Sequence, residues 1–263
     1  MNTKQQEILS KVPEVTLIFW IIKILATTLG ETGGDAMTMS FLGETTGDAH
    51  PYGYLIGTGI FGVIFIAAVA VQIIAKRFYP FLYWFTIIAT TTVGTTLADY
   101  VTRSLGIGYA GGSAILLTLL LASLFVWYRT MGSVSIDTVS KPKTEVFYWV
   151  TIMFSQTLGT ALGDWTADDV GLGLGYGGAA IVFGSLLVVI AAAYFWTGIS
   201  RTAMFWSAFI LTRPLGAVVG DLLDKPLDKG GLELSRYTAT AVLLVLIAAF
   251  VLIFPQRAAK NSH

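Results

Sequence analysis

The chain has 263 residues, of which 55% carry hydrophobic side chains and only 12% are charged, with a mean hydropathy of +0.73. This composition excludes a soluble enzyme, and a net charge of zero from 16 bases and 16 acids gives no reason to expect a nucleic-acid partner. The absence of cysteine removes disulfides, thiolate metal sites and cysteine nucleophiles, and two histidines, His50 and His263, do not build a zinc site.

At roughly 20 apolar residues per spanning helix, the length accommodates about eight spans and almost no aqueous domain. The polar N-terminus MNTKQQEILSKVPEVT leads into the first span, 13–36. That span carries Lys23 and lacks a small-residue cleavage site, so it reads as a retained helix and not a signal peptide. Apolar runs follow at 52–75, 81–102, 108–129, 145–166, 174–198, 202–222 and 234–254. The ten-residue alternating segments of a β-barrel are absent. The expected fold is therefore all-α: a polytopic membrane protein with eight transmembrane helices in a single domain over 1–263.

The loop charges set an orientation. Lys4, Lys11, Lys76, Arg77, Arg129, Lys141, Lys143, Arg201, Arg257 and Lys260 fall on one side, and Arg103, Lys225, Lys229 and Arg236 on the other. Lys23 and Arg213 lie inside spans. Both termini are thus expected to be cytoplasmic. Among the acids, Glu7, Glu14, Asp137 and Glu145 lie inside, and the rest gather at the outer helix ends.

The most specific signal is internal repetition. Four segments align without gaps: FWIIKILATTLGETGGD from Phe19, YWFTIIATTTVGTTLAD from Tyr83, YWVTIMFSQTLGTALGD from Tyr148 and FWSAFILTRPLGAVVGD from Phe205. In each, a tryptophan (Trp20, Trp84, Trp149, Trp206) precedes a glycine by ten residues (Gly30, Gly94, Gly159, Gly216) and an aspartate by fifteen (Asp35, Asp99, Asp164, Asp221). The even spans open on a looser glycine–tyrosine pattern around Tyr54, Tyr109, Tyr176 and Tyr237. The unit is a helical hairpin, at about 13–75, 81–129, 145–198 and 202–254. Because two spans restore the starting side, the four pseudo-repeated hairpins are parallel and not inverted. A pseudo-fourfold ring is the simplest packing, with the polar loop at 130–144 expected to mark a two-plus-two division.

Positions 0, 7, 11 and 15 from the tryptophan lie near one helix face. Position 7 holds Thr27, Thr91, Gln156 and Arg213, and position 11 holds Glu31, Thr95, Thr160 and Ala217. At 1.5 Å per residue the aspartates stand roughly 22 Å outward of the tryptophans. The tryptophans read as an aromatic belt at the cytoplasmic interface. The glycines read as close helix packing, or else as breaks that free backbone carbonyls. The aspartates read as an acidic ring for cations, or else as solvated loop residues.

Lys23 and Arg213 share that polar stripe and set the charge balance. Arg213 is one turn from the Glu31 layer on a neighbouring helix of a closed ring, which predicts a Glu31–Arg213 pair. In a functional version the two bases are tethered counter-charges in the empty acidic cavity. The first outer loop adds Met37, Met39, Glu44, Asp48 and His50, an oxygen-rich vestibule for a hard cation with two soft sulfurs nearby. Asp168, Asp169, Asp224, Asp228 and Glu233 read as solvated loop or cap residues.

Through its FW/YW, TLG and GD elements the whole chain resembles a bacterial family of multi-spanning, uncharacterised membrane-anchored proteins, which implies a bacterial cytoplasmic (inner) membrane location. LGETGGD is also similar to the acidic repeats of small manganese or calcium exporters. It departs from them in its four parallel hairpins, its one glutamate and its two embedded bases.

The expected function is transport of an inorganic cation, a divalent metal such as manganese, magnesium or calcium. Asp35, Asp99, Asp164, Asp221 and Glu31 would be the metal-binding acids, with Gln156, Thr95 and Thr160 lining the route and Lys23 and Arg213 balancing charge. The expected partners are the lipid bilayer and the cation, with no cofactor and no enzymatic activity. The alternative is a non-transporting scaffold, sensor or partner-binding subunit in which the repeated motif only packs helices.

Overall fold

The computed structural model describes residues 10–44 and 52–259. Lys4, Glu7, Asp48, His50, Lys260 and His263, which the sequence analysis placed, lie outside these residues. Eight α-helices follow in chain order: α1 (Leu17–Asp35), α2 (Gly53–Ile74), α3 (Pro80–Asp99), α4 (Gly108–Met131), α5 (Pro142–Ala167), α6 (Gly175–Trp196), α7 (Arg201–Asp224) and α8 (Arg236–Ile253). Their starts are chemically marked. Thr16, Ser200 and Ser235 accept backbone N–H bonds at the first turns of α1, α7 and α8, and prolines begin α3 and α5. Gly132, at φ 76°, ends α4 in the left-handed conformation that a side chain would resist.

The odd helices form a closed inner ring in which α1 packs on α3, α3 on α5, α5 on α7 and α7 back on α1. The repeated glycine explains this ring. A Cβ on Gly30 would meet Thr91 Oγ1 at 1.9 Å, one on Gly94 would meet Gln156 Cβ at 3.0 Å, one on Gly159 would meet Arg213 Cγ at 2.2 Å, and one on Gly216 would meet Thr27 Oγ1 at 2.1 Å. Position 10 of every odd helix therefore receives position 7 of the next, all round the ring. The glycines pack helices; they do not break them, since all four lie within continuous α-helix.

The even helices lie outside, and their packing differs from the expected hairpins. Helix α2 packs chiefly on α3, α4 on α5, α6 on α7 and α8 on α1, so each even helix covers the odd helix of the following repeat more than its own. The last repeat thereby closes onto the first. The loop at 130–144 marks no division, because α4 and α5 pack across it as the other pairs do.

Burial divides the two layers. The even helices expose Val63, Ile66, Phe125, Val188, Val189 and Val245 among many large apolar groups, as a lipid-facing surface would. The odd helices bury most of theirs, leaving Leu17, Phe81, Phe85, Val146 and Val150 exposed. Seven helices among the described residues are long and apolar enough to cross a membrane. The eighth, α5, is the most polar at the ring, burying Thr151, Ser155, Gln156, Thr157 and Thr160.

Trp84, Trp149 and Trp206 are buried in an aromatic cluster with Phe19, Tyr83, Tyr148 and Phe205, and only Trp20 is partly exposed. This corrects the belt reading: neighbouring helices, not a membrane interface, surround these rings. The odd helices also do not stop at their aspartates. α1 and α3 continue as π-helical turns over Ala36–Phe41 and Tyr100–Ser104, while α5 and α7 continue as α-helix to Ala167 and Asp224.

Candidate functional site

The ring's axis is filled from the tryptophan end toward the aspartate end. At the tryptophan end Ser10–Pro13 runs against Arg257–Ala259 and the 136–139 turn, with backbone bonds from Ser10 N to Ala259 O and from Lys11 N to Val139 O. Buried Lys11 pairs with Glu145 at 2.7 Å and donates to the carbonyls of Gln72 and Ile73. Above this floor lies the aromatic cluster, in which the Tyr83 and Tyr148 hydroxyls share a 2.7 Å hydrogen bond.

Lys23 comes next. It is fully buried, its Nζ sits 4.2 Å from the Phe209 ring centroid, and that Nζ has no hydrogen-bond partner among the described residues. Its ring equivalents at position 3 are Ile87, Ile152 and Phe209, which explains the lack of an acceptor. The expectation that Lys23 balances the acids is therefore corrected. Gln156, one layer outward, is also buried with neither side-chain polar atom bonded.

Arg213 closes the middle of the ring. From α7 its Nη2 reaches Glu31 Oε2 on α1 at 2.9 Å, Thr95 Oγ1 on α3 at 2.6 Å and Thr160 Oγ1 on α5 at 2.5 Å. One guanidinium thus touches the other three odd helices, and the expected Glu31–Arg213 pair forms. Thr95 Oγ1 has one proton to give, with Gly30 O at 3.1 Å and Glu31 Oε2 at 3.3 Å as alternative acceptors on α1.

The four aspartates lie one turn further out, all buried, and two bases unseen in that role hold them. Arg103 contacts Asp99 at 3.1 Å and Asp164 at 2.9 Å, joining α3 to α5. Lys225 contacts Asp221 at 2.9 Å and Asp35 at 2.5 Å, joining α7 to α1. Both bases stand four residues after an aspartate, the helical spacing at which opposite charges meet, so a search for i,i+4 pairs would have found them. Burial works to lower the pKa of Lys225, but Asp221, Asp35 and Asp224 hold it well above the usual lysine range.

Two further acids leave the solvated class. Asp224 is buried and accepts from Arg236 Nε at 3.2 Å, while Arg236 also reaches Ser40 at 3.0 Å. Asp168 accepts the Tyr109 hydroxyl. Before α2, Glu44 receives the Tyr54 backbone N–H at 2.9 Å.

The predicted metal-binding acids do not form one ring-shaped site. Glu31, Asp35 and Asp221 converge, with one oxygen from each within 4.8 Å of the others. Asp99 and Asp164 are drawn away by Arg103, and beneath them Thr95 and Thr160 replace a deeper carboxylate. Asp35 Oδ1 is buried and accepts no hydrogen bond among the described residues. Three carboxylates at this spacing can hold a cation, and Arg213 and Lys225 stand beside them as counter-charges.

A family model described as a repeat of unknown function, DUF347, matches residues 18–78, 82–133, 147–200 and 204–255. Each match spans one odd helix and the even helix after it, the sequence unit and not the packing pair. No curated protein and no solved structure matches the chain.

Proposed function

We propose, from the premise that this chain belongs to the DUF347 repeat family, that it is a membrane carrier of an inorganic divalent cation with Glu31, Asp35 and Asp221 as its binding acids. The carrying observation is the convergence of those three buried carboxylates within 4.8 Å beside a bare Asp35 Oδ1. Buried carboxylates are costly unless a cation or proton meets them. With Lys225 and Arg213 against them, the site can trade tethered positive charge for a mobile ion. Mg²⁺, Ca²⁺ and Mn²⁺ all suit carboxylate oxygen.

The axis favours a carrier over a channel. Arg213 crosses its middle, the aromatic cluster fills the inner half and the Lys11–Glu145 floor lies below. An ion passing through would require these groups to move in turn. The surrounding membrane is read as a bacterial cytoplasmic membrane, with parallel repeats and both termini on the cytoplasmic side, from the loop-base bias. On this reading α5 spans as well, because α3 and α7 flank it at the same depth.

The test is uptake by proteoliposomes holding the purified chain, across a panel of divalent metals, with Asp35→Asn alongside. Saturable uptake by the wild type, lost in folded Asp35→Asn, supports the carrier. A second reading, a non-transporting scaffold, draws on the pairing of all four aspartates with Arg103 or Lys225. Under it no metal crosses, and Asp35→Asn alters only stability.

A further inference from the structure

Two carboxylates and a sulfur meet on one atom at the outer end of the ring. Lys225 Nζ lies 2.5 Å from Asp35 Oδ2, 2.9 Å from Asp221 Oδ1 and 3.7 Å from Met39 Sδ. Glu31 stands within reach of both acids. The contacts of this ammonium are thus two carboxylates and one thioether, with the Glu31 carboxylate close to both acids.

The same position differs in each repeat. Nineteen residues after the tryptophans come Met39, Arg103, Asp168 and Lys225. The opposite half, between α3 and α5, is bridged by Arg103, a planar guanidinium with several donors fixed in one fork. It has threonines where Glu31 stands, and its neighbour at position 19 is Asp168 instead of a methionine. The two halves are therefore unequal: one is a guanidinium bridge, and the other surrounds a point charge on a flexible stem with an extra acid and a sulfur.

Lys225 is also placed to leave. It is the C-cap of α7, in extended conformation at φ −73° and ψ 154°, where the chain turns into the outer loop. Its departure would leave Asp35 and Asp221 facing each other, together with Asp35 Oδ1, which already lacks a hydrogen bond. A metal ion at the vacated ammonium position would meet Asp35, Asp221 and the Met39 thioether, with Glu31 close to both acids.

Resting on the carrier reading, we propose that the substrate is a borderline transition-metal dication of the Co²⁺ or Zn²⁺ type, bound by Glu31, Asp35, Asp221 and the Met39 thioether in place of the Lys225 ammonium. Mg²⁺ and Ca²⁺ demand six or more oxygen ligands and gain nothing from a thioether. Softer dications accept sulfur, and their affinities for mixed oxygen and sulfur sites rise along the first transition row. The neutral thioether discriminates without adding charge that would attract every dication equally.

The experiment measures proteoliposome uptake of Co²⁺, Zn²⁺, Mg²⁺ and Ca²⁺, each alone, by the wild type, Met39→Leu and Lys225→Gln. Cobalt X-ray absorption of the wild-type protein detects sulfur in the metal's coordination shell. The expected wild type takes Co²⁺ and Zn²⁺ in preference to Mg²⁺ and Ca²⁺, with sulfur scattering at the bound cobalt. Met39→Leu conserves volume and should lower that preference by about tenfold while uptake persists. Lys225→Gln should lower the Co²⁺ concentration for half-maximal uptake, because the competing ammonium is gone. Equal uptake of Ca²⁺ and Co²⁺, or cobalt bound without sulfur, overturns the thioether site and leaves cation carriage intact. No uptake of any of the four metals by the wild type overturns both. Where Met39→Leu or Lys225→Gln fails to fold, the wild-type absorption and uptake measurements decide.

Discussion

Arg213 and Glu31 come from the last and first repeats, yet their side chains meet at 2.9 Å at the centre of the ring, both buried. Their pair closes the circle of four repeats, and Thr95 and Thr160 complete the donors and acceptors around it. Removing one partner from a buried pair strands the other. Arg213→Met should therefore cost on the order of 3–5 kcal/mol, and Arg213→Met combined with Glu31→Gln should recover much of that loss. Denaturation of the purified protein in detergent measures both. Equal loss in the single and double variants would show that the pair contributes nothing beyond packing.

The ring contacts predict which glycines tolerate a methyl group. Gly30→Ala would place Cβ 1.9 Å from Thr91 Oγ1, so it should remove folded protein from the membrane. Thr91→Gly, which removes both Oγ1 and the Cβ that would lie 2.5 Å from the added atom, should restore part of the yield. Gly59→Ala and Gly184→Ala, with nothing within 4 Å of the added atom, should leave expression unchanged or slightly raised. Fluorescence size-exclusion yields of the four variants settle the matter. Harm from Gly59→Ala equal to that from Gly30→Ala would contradict the packing account.

The register of this ring is readable from the sequence because Trp, Gly and Asp recur at one spacing, and that register brings Arg213 within a turn of Glu31. The roles of Arg103 and Lys225 show only in their i,i+4 spacing to an aspartate and not in the loop charge count. Both lie at span ends, where a base counts toward the outer loop charge even when it folds back onto an aspartate four residues earlier. The pairing of α2 with α3 and not α1 is equally invisible, since both choices bury similar apolar faces and both are allowed by the loops. Tryptophan at a helix end fits a lipid interface and a capped protein core alike. Only the Ser10–Pro13 strap and the 257–259 segment across that end decide for the core.

Lys23 is the one embedded base that the acids do not reach. A charged ammonium there would have only the Phe209 ring face to meet it, and an unbonded buried polar group costs about 1–3 kcal/mol in protein interiors. Lys23→Met, of similar length, should raise stability by that order. If transport is lost in this stabilised variant, Lys23 acts in the carrier cycle. A destabilised Lys23→Met, measured by thermal unfolding, would instead mean that the amine has an acceptor.

Lys225 gives a pH signature. Burial lowers its pKa, but Asp221, Asp35 and Asp224 outweigh burial and raise it well above the usual lysine value. A base raised on folding contributes stability that is fully present below its unfolded pKa, about 10.4, and is lost as pH rises through the folded value. The stability difference between wild type and Lys225→Met should therefore be flat from pH 7 to about 10 and shrink above that. Thermal unfolding in buffered detergent from pH 7 to 11.5 tests this. A difference that grows with rising pH would have the wrong sign for a raised lysine.

The cysteine-free chain permits a direct test of orientation. Single cysteines at exposed Val170 and Leu227 mark the loops after α5 and α7, and single cysteines at exposed Lys76 and Ile199 mark those after α2 and α6. The base distribution places Lys76 and Ile199 with the cytoplasmic set, beside Arg77 and Arg201. A membrane-impermeant maleimide applied to intact cells should label Val170→Cys and Leu227→Cys, and should label Lys76→Cys and Ile199→Cys only after permeabilisation. The reverse pattern would put the converging acids Glu31, Asp35 and Asp221 toward the cytoplasm. The carrier would then load from inside, and the outward vestibule assigned to the first loop would have to be abandoned.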